Sequence, residues 1–259
     1  MILICLLFLF FYCVIYIYTI YKISTGKIEY IIVYIVSCLP VYITIQALAL
    51  KFFDYEFIIT SIKLSKDIVF FYAFLVFLYG TKVSFLQRSF CFSKVDKLML
   101  IFSIIVTVYA FIPLGEASLF SKLIYAKNLY IIFITYIIGR NITIDERFFN
   151  ILKRILNYVI IFASIFLFFE FIFSVHFHSL IDFSNYNLII NDIYRQGNYG
   201  LSWSFESQGS YPRYAAFFSN PLELSASLLL ITSFLLFDFF DNKKNIKYFL
   251  LLLVIIAFI

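Results

Sequence analysis

Long apolar stretches alternate with short polar segments along almost the whole chain. About twenty consecutive apolar residues are enough for a helix to cross the hydrocarbon core of a bilayer. The pattern therefore predicts an all-α, polytopic integral membrane protein, a bundle of about seven or eight transmembrane helices in one membrane domain at residues 1–259. We place the predicted spans at residues 1–21, 28–50, 64–81, 98–113, 119–139, 156–175 and 221–237, with an incomplete eighth at 248–259.

The incomplete eighth span indicates that the chain ends inside a helix. It holds twelve apolar residues, whereas a full span needs about twenty. We therefore expect either a fragment of a longer protein or the product of a truncated gene.

Composition strengthens the membrane interpretation. Of the 259 residues, 64% are hydrophobic and 14% are charged, whereas about a quarter of an ordinary soluble domain is charged. A soluble core cannot hide so much apolar surface, so the excess is expected to face lipid. The net charge of +5 is spread over short loops, which disfavours nucleic acid as a partner. We expect no metal and no structural disulfide, because no His/Cys cluster occurs and the long polar segment lacks all four cysteines, Cys5, Cys13, Cys38 and Cys91.

Lysine and arginine residues predict the orientation, because cytoplasmic loops carry an excess of both. The loops after spans one, three, five and seven contain thirteen of them, and the loops after spans two, four and six contain seven if Lys122 and Lys127 at the head of span five are included. The first set is therefore predicted to be cytoplasmic. The N-terminus would then lie outside, although a missed or merged span among the first three would reverse its side without moving the long polar segment. Residues 176–213, which we call the outer loop, are then predicted to lie on the outer face.

The outer loop has 38 residues, too many for a simple connection. It is rich in aromatic residues, which disfavours disorder. These rings have two interpretations: they form an aromatic belt at the headgroup level, or they stack on the faces of sugars. The rings concerned are Tyr186, Tyr194, Tyr199, Trp203, Phe205 and Tyr211.

The outer loop leads into the last complete predicted helix. Asn220 suits the N-cap of that helix, Pro221 its first position and Glu223 its third, which favours a structural role for all three. The positive end of the helix, with unpaired N–H groups, would point to the outer face and favour an anion such as phosphate. Arg195 and Arg213 precede it, either as lipid-headgroup anchors or as a bidentate clamp on phosphate or pyrophosphate.

Five further polar residues are predicted to lie close to this region. Glu170, near the outer end of span six, is expected either to form an interhelical hydrogen bond or to pair with one of the two arginines. His176 and His178 follow it, either as polar surface residues or as a general base for a hydroxyl. Lys122 and Lys127, at the outer head of span five, would either snorkel or add positive charge to the same pocket.

The sequence RYAAFFSNP at 213–221, followed by an apolar helix, resembles the signature of the O-antigen polymerase and ligase family. Ala216 and Ser219 stand where that family usually has glycine, and a positive φ at Ser219 would be costly. The layout of spans, basic inner loops and a polar outer loop is also similar, and chains of the family are longer. The residues that match the signature are Arg213, Phe218, Asn220 and Pro221.

The resemblance implies an inverting glycosyltransferase of the membrane-embedded class at the outer face of the bacterial cytoplasmic membrane. Its substrate would be an undecaprenyl-pyrophosphate-linked oligosaccharide repeat, joined into O-antigen of lipopolysaccharide, capsule or exopolysaccharide. An acceptor hydroxyl would attack the anomeric carbon and lipid pyrophosphate would leave, with no nucleotide sugar, cofactor or metal. Membrane lipids, a flippase and a chain-length regulator would be the other partners.

By this analogy Arg213 and Arg195 are the candidate catalytic residues, because they would bind the pyrophosphate and neutralise its charge. Three alternatives remain open: an O-antigen ligase, a polysaccharide flippase or transporter, and an inactive truncated remnant. A transporter would need polar residues on several spans, and Glu170 is nearly the only deep charge that the pattern indicates. The candidate substrate-binding residues are Asn220, Trp203, Tyr211, Glu170 and Lys127.

Overall fold

The protein is built almost entirely from helices. The structure, a computed structural model, describes residues 2–53, 56–85, 93–112, 115, 118–206 and 212–242. This described part is 82% helical and contains no strand. Its helices are α1 (Ile2–Ser24), α2 (Ile31–Phe53), α3 (Glu56–Phe85), α4 (Lys94–Phe111), α5 (Leu119–Asn141), α6 (Glu146–Phe173), α7 (Phe177–Leu180), α8 (Phe183–Asn191) and α9 (Pro221–Asn242), with short 3-10 helices at Ile28–Tyr30 and Trp203–Phe205.

Within the described residues, four helices are long and apolar enough to cross a membrane. They are α1, α5, α6 and the segment Ile28–Phe53, which contains α2. A shorter apolar stretch, Pro221–Phe234, forms the first part of α9. Several apolar helices of this length indicate a membrane-embedded protein. The total of seven or eight spans stays a prediction, and the incomplete span at 248–259 lies outside the described residues.

Two helices begin earlier than the apolar pattern indicates. α3 begins at Glu56 and α6 at Glu146, eight and ten residues before the corresponding predicted spans. The early start of α6 follows from Asp145, whose carboxylate caps the helix by accepting the N–H of Phe148 at 2.6 Å. In α3 the early start places Asp67 inside the helix, where it is buried.

The chain forms two compact units. The first comprises Met1–Thr19, Ile32–Ser65 and Asp145–Ile259, and the second comprises Ile20–Ile31 and Lys66–Ile144. The core of the first unit brings together the start of α1, the end of α2 and the outer loop. Its buried members include Cys5, Leu48, Ile181, Phe205 and Ala215.

Contacts inside the first unit place the start of α1 and the ends of α2 and α6 together. The Lys51 ammonium group, at the end of α2, donates to the carbonyl oxygen of Leu180 at 2.5 Å. The ring centroids of Phe8 and Phe166 lie 6.1 Å apart. The start of α1, the end of α2 and the end of α6 therefore lie close together in this unit.

In the second unit a buried carboxylate joins the start of α4 to the end of α5. Asp96 accepts the N–H of Ser93 at 2.7 Å and the hydroxyl of Tyr136 at 2.8 Å, and it pairs with Arg140. Ser93 and Asp96 also form a capping box at the start of α4. The start of α4 and the end of α5 therefore share one end of this unit, as the alternation predicts.

Candidate functional site

Residues 213–220, between the outer loop and α9, form a tight turn that we call the 213–220 turn. Its central five residues are buried, with at most 6% of their surface exposed. The N–H of Phe218 donates to the carbonyl oxygen of Ala215 at 3.0 Å and closes the turn. From α2, the hydroxyl of Thr44 donates to the carbonyl oxygen of Phe217 at 2.7 Å. The main chain of the motif is therefore held from the interior of the first unit.

One residue of this turn has the left-handed backbone conformation. Ala216 has a φ of 51°, which costs a residue other than glycine about 1–2 kcal/mol. Of the two positions where the resembled family has glycine, Ala216 takes the positive φ and Ser219 does not. The cost of a positive φ, which we expected at Ser219, therefore arises at Ala216 instead. Contacts from other parts of the unit must offset this cost.

Glu170, at the end of α6, supplies such a contact. Its side chain is buried, with 3% of the residue exposed. Oε1 accepts the N–H of Phe177 at 2.7 Å, and Oε2 accepts the N–H of Ala216 at 2.8 Å. The expected interhelical hydrogen bond is therefore confirmed, since Phe177 begins α7, whereas neither arginine pairs with Glu170 among the described residues. The carboxylate also binds the main chain of the 213–220 turn.

Asn220 caps α9 as predicted. Its Oδ1 accepts the N–H of Glu223 at 2.9 Å, and its Nδ2 donates to the hydroxyl of Ser219 at 3.1 Å. Because Pro221 has no N–H, Leu222 keeps the only uncommitted N–H of the first three helical residues. The helix start therefore offers fewer donors to an anion than we expected. The Asn220 side chain is also occupied by these two contacts.

Arg195 and Arg213 both expose their side chains. Neither forms an ion pair with any residue in the described part of the chain. The N–H of Arg213 donates to the carbonyl oxygen of Phe205 at 2.9 Å. The next residue, Glu206, accepts the N–H of Asn198, three residues after Arg195. The main chains that carry the two arginines are thus connected through this pair of residues, and both guanidinium groups are available to an anionic ligand.

Gly197 and Glu206 shape the outer loop beside Arg195, and the sequence interpretation missed both. Gly197 has a φ of +68°, and a Cβ atom there would overlap the Oε1 of Glu206. The positive φ favours glycine, and an alanine would in addition displace the end of the Glu206 side chain. Glu206 also forms an isolated antiparallel bridge with Pro212. The signal that could have indicated this turn is the pair of glycines at 197 and 200, three residues apart.

The other predicted site residues lie in different surroundings. Trp203 is 66% exposed, as either the headgroup belt or sugar stacking requires. Lys127 forms an ion pair with Asp67 at 2.5 Å in the second unit, so the positive charge of Lys127 is neutralised by that carboxylate. Lys122 donates to a main-chain carbonyl oxygen at 2.8 Å. Tyr211 lies outside the described residues. Asp67, which is not among the predicted site residues, adds a buried charge to α3.

The two histidines are buried, with 3% of His176 and 0% of His178 exposed. The centroid of the Tyr199 ring lies 4.6 Å from that of His176, and the Phe183 ring lies 4.9 Å from His178. No ring nitrogen of either histidine has a hydrogen-bond partner among the described residues. Burial lowers the pKa of His176 and lowers the pKa of His178 to about 3, although the Phe218 main chain acts in the opposite direction. The interpretation of the two histidines as polar surface residues is therefore wrong, and their burial disfavours a role as general base for a hydroxyl.

The chain matches no protein-family model, no curated protein and no solved structure. The chemistry of the candidate site therefore follows from its own geometry. That geometry combines two exposed cations, a buried turn held by side chains of α2 and α6, and a capped helix start, all in the first unit.

Proposed function

We propose that the protein polymerises undecaprenyl-pyrophosphate-linked oligosaccharide repeats into a surface polysaccharide, which is O-antigen, capsule or exopolysaccharide. It would act as an inverting glycosyltransferase at the outer face of the bacterial cytoplasmic membrane. The observation that carries the proposal is the pair Arg195 and Arg213, whose exposed guanidinium groups have no ion-pair partner among the described residues. Two such groups provide the bidentate donors that suit a diphosphate.

In the proposed reaction, the oxygen of an acceptor hydroxyl attacks the anomeric carbon of the lipid-linked sugar chain. A new C–O bond forms, the bond to the diphosphate oxygen breaks, the leaving diphosphate takes the electron pair, and the hydroxyl proton passes to solvent water at the open outer face. Arg195 and Arg213 would donate hydrogen bonds to the diphosphate and neutralise the charge that grows on it. Neither histidine of the chain would take the hydroxyl proton, because the ring nitrogens of both are buried.

The rigidity of the 213–220 turn supports the proposal. Stabilisation of a developing charge is effective when the donors are already in position before the reaction. The main chain of Arg213 is bonded to Phe205, and the following residues are held by Glu170 and Thr44. An exposed arginine on a fixed main chain provides such a donor.

The placement on the outer face rests on the distribution of lysine and arginine over the seven or eight predicted spans. A lipid-linked substrate carries its diphosphate at the level of the headgroups. In the first unit the outer loop contacts the end of α2 through Lys51 and Leu180, which supports a site at that level. An O-antigen ligase would use the same donor chemistry and differ in the acceptor.

A polysaccharide flippase or transporter is the second candidate, and one observation favours it. Asp67 and Lys127 pair at 2.5 Å between α3 and α5 in the second unit. Charged residues inside membrane helices often mark the pathway of an ion or a substrate. A transporter would depend on this pair and would tolerate the loss of Arg213.

The test is Arg213→Ala in a host that makes the polysaccharide, with the amount of protein in the membrane measured in parallel. Polymerisation should fall at least about 100-fold, because loss of a preorganised donor costs that much in comparable sites. Arg154→Ala removes another exposed arginine, from the first half of α6, and should leave the polymer unchanged. Normal polymer from Arg213→Ala would refute the proposal. If Asp67→Asn then abolished export of the repeat, the transporter would replace it.

A further inference from the structure

We propose that Glu170 is a positioning residue that fixes Arg213 relative to the base of the outer loop. What Arg213 binds rests on the proposed function, whereas the anchoring rests on geometry alone. Glu170 lies seven residues before Phe177 and 46 residues before Ala216, and its carboxylate bonds the N–H groups of both. One buried side chain therefore joins the start of the outer loop to the 213–220 turn that follows it.

The chemistry of the side chain fits this task. An ionised carboxylate has two acceptor oxygens and no donor, so each oxygen can serve one N–H group. Both oxygens of Glu170 are used in this way, at 2.7 and 2.8 Å. An apolar residue would pack in this position of α6 without the cost of burying a charge. A carboxylate in this position is therefore explained by the two hydrogen bonds that it accepts.

The anchor acts on Arg213 through Ala216. Ala216 lies three residues after Arg213 and has the unfavourable φ of 51°. The hydrogen bond to Glu170 holds this conformation. Without it, Ala216 would relax toward an ordinary negative φ, and the chain direction between Arg213 and α9 would change. The hydrogen bond from Arg213 to Phe205 would weaken as well, and the two arginines would lose their fixed relationship.

Limited digestion with trypsin tests the anchor without reference to any activity. The full chain is placed in lipid nanodiscs, where trypsin reaches both faces, and new N-termini are quantified by mass spectrometry. Arg195 and Arg213 are both exposed, so cleavage after Arg195 serves as an internal reference. Glu170→Gln leaves one of the two N–H groups facing an NH₂ group. It should raise the ratio of cleavage after Arg213 to cleavage after Arg195 about tenfold, because cleavage follows the population of the open form.

Two further variants separate positioning from folding. Glu223→Gln changes an exposed carboxylate in the first turn of α9 and should leave the cleavage ratio unchanged. Glu170→Gln should also lower polymer synthesis, because Arg213 loses its fixed position. Ala216→Gly, added to Glu170→Gln, should restore part of it, since glycine adopts the positive φ without support. A merely structural role for Glu170 predicts less protein in the membrane and no such rescue.

The outcomes for the anchor and for the proposed function are distinct. An unchanged cleavage ratio in Glu170→Gln at normal protein amounts overturns the anchor. If Glu170→Gln does not accumulate, Glu170→Asp keeps the charge but is one methylene too short to reach both N–H groups, and it must raise the same ratio. A raised ratio together with normal polymer from Arg213→Ala leaves the anchor standing and removes the proposed function.

Discussion

The hydroxyl of Thr44 in α2 donates a hydrogen bond to the carbonyl oxygen of Phe217, 2.7 Å away and 173 residues later in the chain. Both residues are buried. The 213–220 turn is therefore bonded to a helix near the start of the chain as well as to Glu170 in α6. Its conformation depends on long-range contacts and not only on its own sequence.

Thr44→Val should destabilise the first unit by about 1–3 kcal/mol. Valine has nearly the same shape as threonine, so the main effect is a buried carbonyl oxygen of Phe217 without its donor. The measurement is the midpoint of thermal unfolding of the purified protein in detergent. Thr135→Val is the matched control, because the Thr135 hydroxyl bonds to the carbonyl oxygen of Ile131 one turn earlier in the same helix. Equal midpoints for the two variants would contradict the prediction.

The helices and the cap were predictable because their causes are local. The apolar stretches gave α1, α2 and α5 to within a few residues, and the residue types at 220–223 gave the cap of α9. The starts of α3 and α6 were placed too late. Both helices begin with polar turns, and a prediction from the length of the apolar stretch leaves such turns out. A cap at Asp145 was the available signal for α6.

The contacts of the candidate site could not be predicted, because they join distant parts of the sequence. Glu170 was expected to form an interhelical hydrogen bond or to pair with an arginine. It also binds the N–H of Ala216, and the local sequence does not indicate that partner. The local sequence likewise does not indicate that Thr44 bonds to Phe217. The burial of His178 results from the packing of the whole outer loop around it, since rings such as Phe183 enclose it. Sequence pattern identifies the residues of interest, whereas packing decides their partners.

Gly197→Ala should loosen the outer loop more than Gly200→Ala does. The two glycines have nearly the same φ, +68° and +67°, so the backbone strain of an alanine is similar at both. At Gly197 the new Cβ also overlaps Glu206, whereas at Gly200 the nearest atom is the Cδ of Arg195, 4.0 Å away. The difference between the variants therefore reports the overlap alone.

The measurement for the glycine variants is the rate of tryptic cleavage after Arg195 in nanodiscs. We expect a rise of about tenfold or more for Gly197→Ala over Gly200→Ala, because displacing Glu206 removes its hydrogen bond to Asn198. Equal rates would show that Glu206 moves aside without consequence. In that case the contact between Gly197 and Glu206 would not organise the loop.

Arg195 and Arg213 should act on one anion and therefore should not be independent. If both bind the same diphosphate, the effects of Arg195→Ala and Arg213→Ala on its affinity will not add in the double variant, with a coupling of about 0.5–3 kcal/mol. Binding of the lipid diphosphate is measured for the four proteins of this cycle. Arg154→Ala combined with Arg213→Ala is the control and should be additive. Additive effects for the first pair would mean separate binding sites.

Arg213→Lys should behave much more like Arg213→Ala than a conservative change suggests. Lysine keeps the charge but loses the planar fork of donors, and so it cannot form two parallel hydrogen bonds to a diphosphate. Polymer synthesis should fall about tenfold or more, since one charge-assisted hydrogen bond is worth at least that factor. Full activity with lysine would indicate that a diffuse positive charge is sufficient.

Acid should destabilise the first unit through His178. Its pKa is about 3 in the folded protein and about 6.5 when exposed. Between these values the unfolded state binds a proton that the folded state does not, so stability rises with pH in this window. It is lost as the pH falls below about 6.5, at about 1.4 kcal/mol per unit for one full proton. The lowered pKa of His176 adds an effect of the same sign.

His178→Phe should flatten this pH dependence. Phenylalanine fills a site already surrounded by aromatic rings such as Phe183, and it removes two ring nitrogens that have no hydrogen-bond partner among the described residues. Stability at neutral pH should therefore stay the same or increase. Unfolding midpoints in detergent are compared between neutral pH and about pH 4, with Tyr199→Phe as the control that keeps the wild-type slope. If His178→Phe kept that slope as well, protonation of His178 would not be the cause of the acid sensitivity.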